Sequence, residues 1–163
     1  MKHKPNEDDF SKYVVIVTSA GKIKLFDSSK NKILWQEQID NDRVIFDVDW
    51  NVNGWLAIGP TGEAALLKRF NRGDKKFDNT VEIPTNSSVR SLHFNPLKPN
   101  MLAIGCFNGN IILYDTDKSG ITQTVKGSDS RVVCVQWHPQ FEYILAGGSF
   151  DNVVRVFDIK QNG

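Results

Sequence analysis

The feature that most constrains this chain is a phrase written twice at a fixed distance. Ser88–Pro96 matches Arg131–Pro139, Ala103–Gly109 matches Ala146–Asn152, and Ile111–Asp115 matches the run that ends at Asp158. Phe94 and Trp137, Ala103 and Ala146, and Asp115 and Asp158 are each 43 residues apart. Three landmarks sharing one offset mean a repeat, and a period of this length belongs to stacked supersecondary units rather than to a single wound sheet.

The rest of the chain reads in the same period. Short runs rich in β-branched and aromatic residues alternate with Gly, Asn, Asp and Pro, and no stretch carries helical periodicity, so the chain is expected to be all-β. Asp27 stands 88 residues before Asp115, two periods of 44, which makes the opening segment a unit without its first strand. Ile45, Val48 and Trp50 repeat the spacing of Val89, Leu92 and Phe94, and of Val132, Val135 and Trp137. In this second unit Leu67-Lys68 is read as standing where the others have an aromatic followed by Asp. Residues 1–12 are expected to be a mobile leader. The remaining units are expected over 13–41, 44–84, 88–127 and 130–163, with three, four, four and three strands, fourteen in all.

Composition narrows the class. Of 163 residues 40% are hydrophobic and 10% aromatic, enough for a packed core. Lys and Arg number 20 against 19 Asp and Glu, a net charge of +1, which argues against a strongly basic nucleic-acid wrapper. Cys106 and Cys134 fall in expected strands and read as buried, reduced thiols. No apolar run approaches the roughly 18 residues of a membrane span, and Met1–Lys12 lacks the apolar segment of a secretory signal. A cytoplasmic or nuclear protein is expected.

Catalytic constellations are absent from the sequence. His3 lies in the leader, His93 within a strand, and His138 at the position of Asn95 and Asn51, where it reads as a turn cap. Asp47 and Asp49 share one strand face with no acid, base or metal partner in view. No nucleophile elbow, phosphate loop or metal-spaced Cys/His set occurs, so neither enzyme, cofactor nor metal is expected.

Gly148-Ser149-Phe150-Asp151 through Phe157-Asp158 resembles the WD40 repeat of β-propellers, and the likeness runs from about Tyr13 onward. It implies four-stranded antiparallel blades, about three and a half of them here, in an incomplete ring. The family's tryptophan is replaced by Phe26, Tyr114 and Phe157. Its repeat-opening Gly-His is Gly127-Ser128 before the last unit, so the blades are expected to depend on apolar packing more than on buried polar networks. A ring of this kind takes roughly four to eight blades. An uncovered blade face of several hundred Å² forfeits on the order of 10 kcal/mol at about 25 cal/mol per Å², so completion by further sequence or a second chain is expected.

The resemblance also implies where a ligand would bind: the loops entering each first strand and the turns between second and third strands. Those positions hold Arg90, Phe107, Arg131 and Phe150, suited to a protein or peptide partner. A non-catalytic scaffold is the function expected, and a structural subunit whose ring a partner completes is an alternative. The wording of Phe70–Asp74 and Leu102–Gly105 further resembles the Gemin WD40 proteins that recognise small nuclear RNA for the survival-of-motor-neuron complex. That likeness implies RNA binding, through the same aromatics and the basic run Lys68, Arg69, Arg72, Lys75 and Lys76.

Overall fold

The computed structural model describes residues 12–39 and 42–160. Apart from Lys12, the expected leader lies outside the described residues, as does His3. Sheet one contains β1 (Tyr13–Val17), β2 (Lys22–Asp27) and β3 (Lys32–Gln38). Sheet two contains β4 (Ile45–Trp50), β5 (Trp55–Pro60), β6 (Ala64–Asn71) and β7 (Lys76–Pro84). Sheet three contains β8 (Val89–Phe94), β9 (Met101–Cys106), β10 (Asn110–Asp115) and β11 (Gly120–Lys126), and sheet four β12 (Val132–Trp137), β13 (Ile144–Ser149) and β14 (Val154–Asp158). Every pairing is antiparallel between consecutive strands, and the fourteen strands divide as the repeat requires. No helix among the described residues is long and apolar enough to cross a membrane.

The central strands of sheets two and three are buried on both faces because each of those sheets has a neighbour on either side. In β10, Ile112 and Tyr114 pack into the core shared with sheet two, while Ile111 and Leu113 pack into the core shared with sheet four. Three such cores fill the spaces between the four sheets. The innermost strands β4, β8 and β12 lie side by side, so the sheets radiate from one axis as an open arc of a propeller.

Successive inner strands are joined by a device that recurs at the repeat spacing. Asp47 and Asp49 of β4 accept the backbone N–H groups of Leu92 (2.8 Å) and Phe94 (2.6 Å) on β8. One sheet later Ser91 Oγ and His93 Nδ1 accept those of Val135 (3.2 Å) and Trp137 (2.8 Å) on β12. The N–H groups of an inner strand on this side have no ladder partner, and a buried donor left unpaired costs about 1–3 kcal/mol. The pair of carboxylates in the second unit is thus a structural staple. Burial pushes the Asp49 carboxyl above its ordinary range, against its backbone hydrogen bonds.

Two glycines complete the joint. A Cβ on Gly59 would lie 2.8 Å from Val89 Cγ1, and one on Gly105 would lie 2.9 Å from Val132 Cγ1. Only a residue without a side chain lets the first valine of the next inner strand nest at this depth. Gly148 is the corresponding residue of sheet four, and a Cβ there would meet nothing closer than Cys134 Cβ at 4.0 Å.

That difference marks sheet four's outer side as an uncovered face. Val154 and Val156 stand where Ile111 and Leu113 are sealed, yet they are 72% and 68% exposed. Cys134 and Gln136, at the stapling positions, are also exposed. Cys106 is buried as expected, with its thiol pushed up to about 12 by burial, but Cys134 is not. Its side of β12 points away from sheet three, and no described residue covers it.

The second sheet corrects one further expectation. Leu56 pairs with Lys68 as Leu102 pairs with Tyr114, so the aromatic and its Asp are represented by Lys68-Arg69. Lys68 fills the aromatic's place by burying its aliphatic stem, and its ammonium bonds Glu37 of β3 at 2.9 Å.

Candidate partner-binding site

Antiparallel order puts the turns between second and third strands, and the loops entering first strands, at one end of every sheet. At that end the Phe107 N–H bonds the Ser88 carbonyl (2.9 Å) and the Phe150 N–H bonds the Arg131 carbonyl (3.0 Å). These bonds fix each phenylalanine beside the strand entry of its own sheet.

Three of the four residues expected at this rim are brought into one row, and a fourth member joins them. Arg90 lies with Cζ 5.1 Å over the ring of Phe46, Phe46 is 5.5 Å from Phe107, and Arg131 lies 5.1 Å over Phe107. The row Arg90–Phe46–Phe107–Arg131 crosses from sheet two to sheet four. Phe46 was not expected from the sequence, although it occupies the place of Arg90 in its own unit and so shares its outward direction. Phe150 stands at the end of sheet four, 60% exposed.

The turn that carries Phe150 is rigid. Ser128 donates to Asp151 (2.8 Å), the Ser149 hydroxyl donates to the other carboxylate oxygen, and Arg155 forms an ion pair with Asp151 (2.6 Å). The Ser149 hydrogen bond above all, then those of Ser128, Val153 and Arg155, hold the Asp151 carboxyl well below its ordinary range against partial burial. Ser128 here does the work expected of a histidine in the repeat, so the last sheet retains a polar network. Phe150 is presented by a braced turn, which lowers the entropy cost of using it.

The basic run sits elsewhere and is largely spent. The turn between β6 and β7 lies at the opposite end of sheet two from the rim. Lys68 is buried against Glu37, which removes it as a phosphate contact. Lys76 lies 3.5 Å from both Asp74 and Asp78, and Arg69 stacks 4.8 Å over Trp55. Lys75 occupies the turn itself with φ of 54°, and Arg72 is exposed beside it. These residues and the rim aromatics therefore do not form one surface.

The remaining polar residues have structural employment. His138 Nδ1 accepts the N–H groups of Gln140 (3.0 Å) and Phe141 (3.2 Å), as Asn95 Oδ1 accepts those of Leu97 and Lys98 (both 2.9 Å). At that same end, a groove of about 470 Å³ runs past Leu97, Phe141 and Tyr143. Among the described residues no group of three or more His, Cys, Asp or Glu could hold a metal ion.

A family model described as the anaphase-promoting complex subunit 4 WD40 domain matches residues 53–140. Protein transport protein SEC31 of Saccharomyces cerevisiae is 26% identical over 125 residues, 70% of this chain and 10% of the relative. Periodic tryptophan protein 1 homolog of Drosophila melanogaster is 27% identical over 118 residues, 69% of this chain and 25% of the relative. Histone acetyltransferase type B subunit 2 of Gibberella zeae is 26% identical over 112 residues, 63% of this chain and 24% of the relative. The chain thus spans between a tenth and a quarter of the length of these relatives. The crystal structure of the computationally designed Ika4 protein shares the fold with a TM-score of 0.74 at 18% identity, covering 91% of this chain and 86% of that one.

Proposed function

The chain belongs to the WD40-repeat family, and from that premise we propose that it is a non-catalytic scaffold, cytoplasmic or nuclear, which captures a protein partner at the rim formed by Arg90, Phe107, Arg131 and Phe150. The observation that carries this reading is the exposure of Phe150 on a braced turn beside the strand entry at Arg131. Aromatic and arginine anchors dominate interface energetics, because they bury much area at low entropic cost. The relatives' printed names, a protein transport protein and an acetyltransferase subunit among them, support the coarse role.

The test is site-specific photocrosslinking in cells expressing the full chain. Benzoylphenylalanine replaces Phe150 and, as a control at the opposite end, Val52, which is also highly exposed. Discrete adducts from position 150 but not from 52 are expected. Equal adducts from both, or none from 150, would remove the rim from consideration.

A second reading is favoured by a separate observation. Sheet four presents a glycine socket at Gly148, exposed side chains at the stapling positions Cys134 and Gln136, and two uncovered valines, in the arrangement that joins the other sheets. A further sheet, from more sequence or from a second chain, would complete the arc there. Where a second chain supplies that sheet, Val154→Lys with Val156→Lys dissociates the working assembly in sedimentation. An unchanged sedimentation profile would count against it.

A further inference from the structure

We infer that the partner taken at the rim is an acidic segment of polypeptide, whose carboxylates engage Arg90 and Arg131 while a large apolar side chain covers Phe150. The inference rests on reading the rim as the partner surface, and adds the chemistry of what binds there.

Aromatic rings hold the guanidinium groups of Arg90 and Arg131. Each lies 5.1 Å over a phenylalanine ring, and the two rings are 5.5 Å apart, so the arginines cap the two ends of one row. A guanidinium lying over a ring is held by an attraction that uses none of its five N–H donors as a hydrogen bond. Stacking therefore restrains the side chain without consuming a donor. That is the preorganisation a carboxylate needs for a paired, charge-assisted contact.

Both charges are also uncommitted. Among the described residues neither Arg90 nor Arg131 has an ion-pair partner, whereas Lys68, Lys76, Lys98, Lys126 and Arg155 each face a carboxylate. Of the acids in the adjoining loops, Asp129 faces Lys126 at 3.6 Å and Asp151 faces Arg155, which leaves the two arginines against the exposed Glu63 of the turn between β5 and β6. The rim's unbalanced charge is therefore positive and its exposed apolar residue is aromatic. An acidic chain with one bulky apolar residue complements both.

Nucleic acid would also offer negative charge and flat rings, but it needs a continuous cationic track along its backbone. The row offers two guanidiniums, and the basic run lies at the other end of sheet two with Lys68 and Lys76 already paired. A peptide fits this distribution and a nucleic acid does not.

The test uses the full chain in fluorescence anisotropy with three labelled ligands: a peptide of glutamates flanking a single phenylalanine, its glutamine counterpart, and an oligouridylate. The glutamate peptide is expected to bind about ten-fold or more tightly than the glutamine one, the factor that one charge-assisted hydrogen bond supplies. Arg90→Gln and Arg131→Gln should each remove most of that preference, with circular dichroism unchanged. Arg69→Gln, which alters a cation at the opposite end, should leave it intact. Equal binding of the two peptides, binding of neither, or tighter binding of the oligouridylate would overturn the inference. Crosslinking from position 150 is independent of charge, so adducts there alongside a failed glutamate preference would spare the rim and reject only its acidic partner.

Discussion

Substituting alanine at Gly59, Gly105 and Gly148 tests the packing between sheets at one repeat position seen three times. At Gly59 and Gly105 the new Cβ would sit 2.8 and 2.9 Å from the Cγ1 atoms of Val89 and Val132, and at Gly105 a second atom, Val135 Cγ1, lies at 3.0 Å. Valine is short and restricted at χ1, so the clash is relieved by moving a strand rather than a side-chain tip. Overpacking of this kind costs about 1–3 kcal/mol, and the loss of glycine freedom in the unfolded chain returns about 0.4–1 kcal/mol. The net expectation is a destabilisation of about 1–2 kcal/mol at Gly59 and Gly105. At Gly148 the Cβ meets only Cys134 Cβ at 4.0 Å, so the entropic gain stands alone and the protein should be stabilised by about 0.5 kcal/mol. Urea unfolding monitored by tryptophan fluorescence gives the three midpoints, and an unchanged slope confirms that stability alone has moved. Three equal effects would refute the joint as described. A selective loss at Gly148 would mean that another sheet covers that face in solution.

Asp49→Ala should raise amide hydrogen exchange locally at Phe94, whose N–H it accepts at 2.6 Å, and cost about 1–3 kcal/mol; exchange mass spectrometry with no local change would contradict the staple. Glu37→Ala should destabilise more than Lys68→Met in urea titrations, because it strands a buried ammonium whereas the methionine fills the same space without charge. The Asp151 carboxyl lies below its ordinary value, so its contribution is present above the unfolded carboxylate range near pH 4 and is lost as pH falls below it. Asp151→Asn should accordingly flatten the acid side of a melting temperature against pH curve, and an unaltered curve would refute the network.

The sheets were legible because one offset joined Phe94 to Trp137 and Asp115 to Asp158, and because the apolar phrase of the inner strand survives in β4, β8 and β12. The one-residue error at Leu67-Lys68 arose in the sheet whose turn after β4 is short. From β4 to β8 equivalents are 44 apart at Trp50 and Phe94, but 46 apart at Leu56 and Leu102, so no single offset sets the frame of β6. A buried lysine in an aromatic's place gives no signal of its own, since its partner Glu37 lies in another sheet. Cys134 misled for a related reason: alternation along a strand shows that two sides differ, but whether a neighbour covers the second side is a property of the assembly. At the rim, equivalence of loop positions singled out Phe107 and Phe150. The stacking that makes Phe46 a member depends on how far sheet two approaches sheet three, which spacing along one chain does not encode.

The chain is an arc of sheets joined in one way, with the last joint prepared but uncovered by any described residue. Thiol labelling of the folded full chain with a maleimide tests it directly, because Cys106 lies in the core between sheets two and three and Cys134 lies on the open face. One rapid modification assigned to Cys134, with Cys106 reacting only on unfolding, is the predicted outcome. Protection of Cys134 in a chain that sediments as a monomer, or prompt labelling of Cys106, would contradict it.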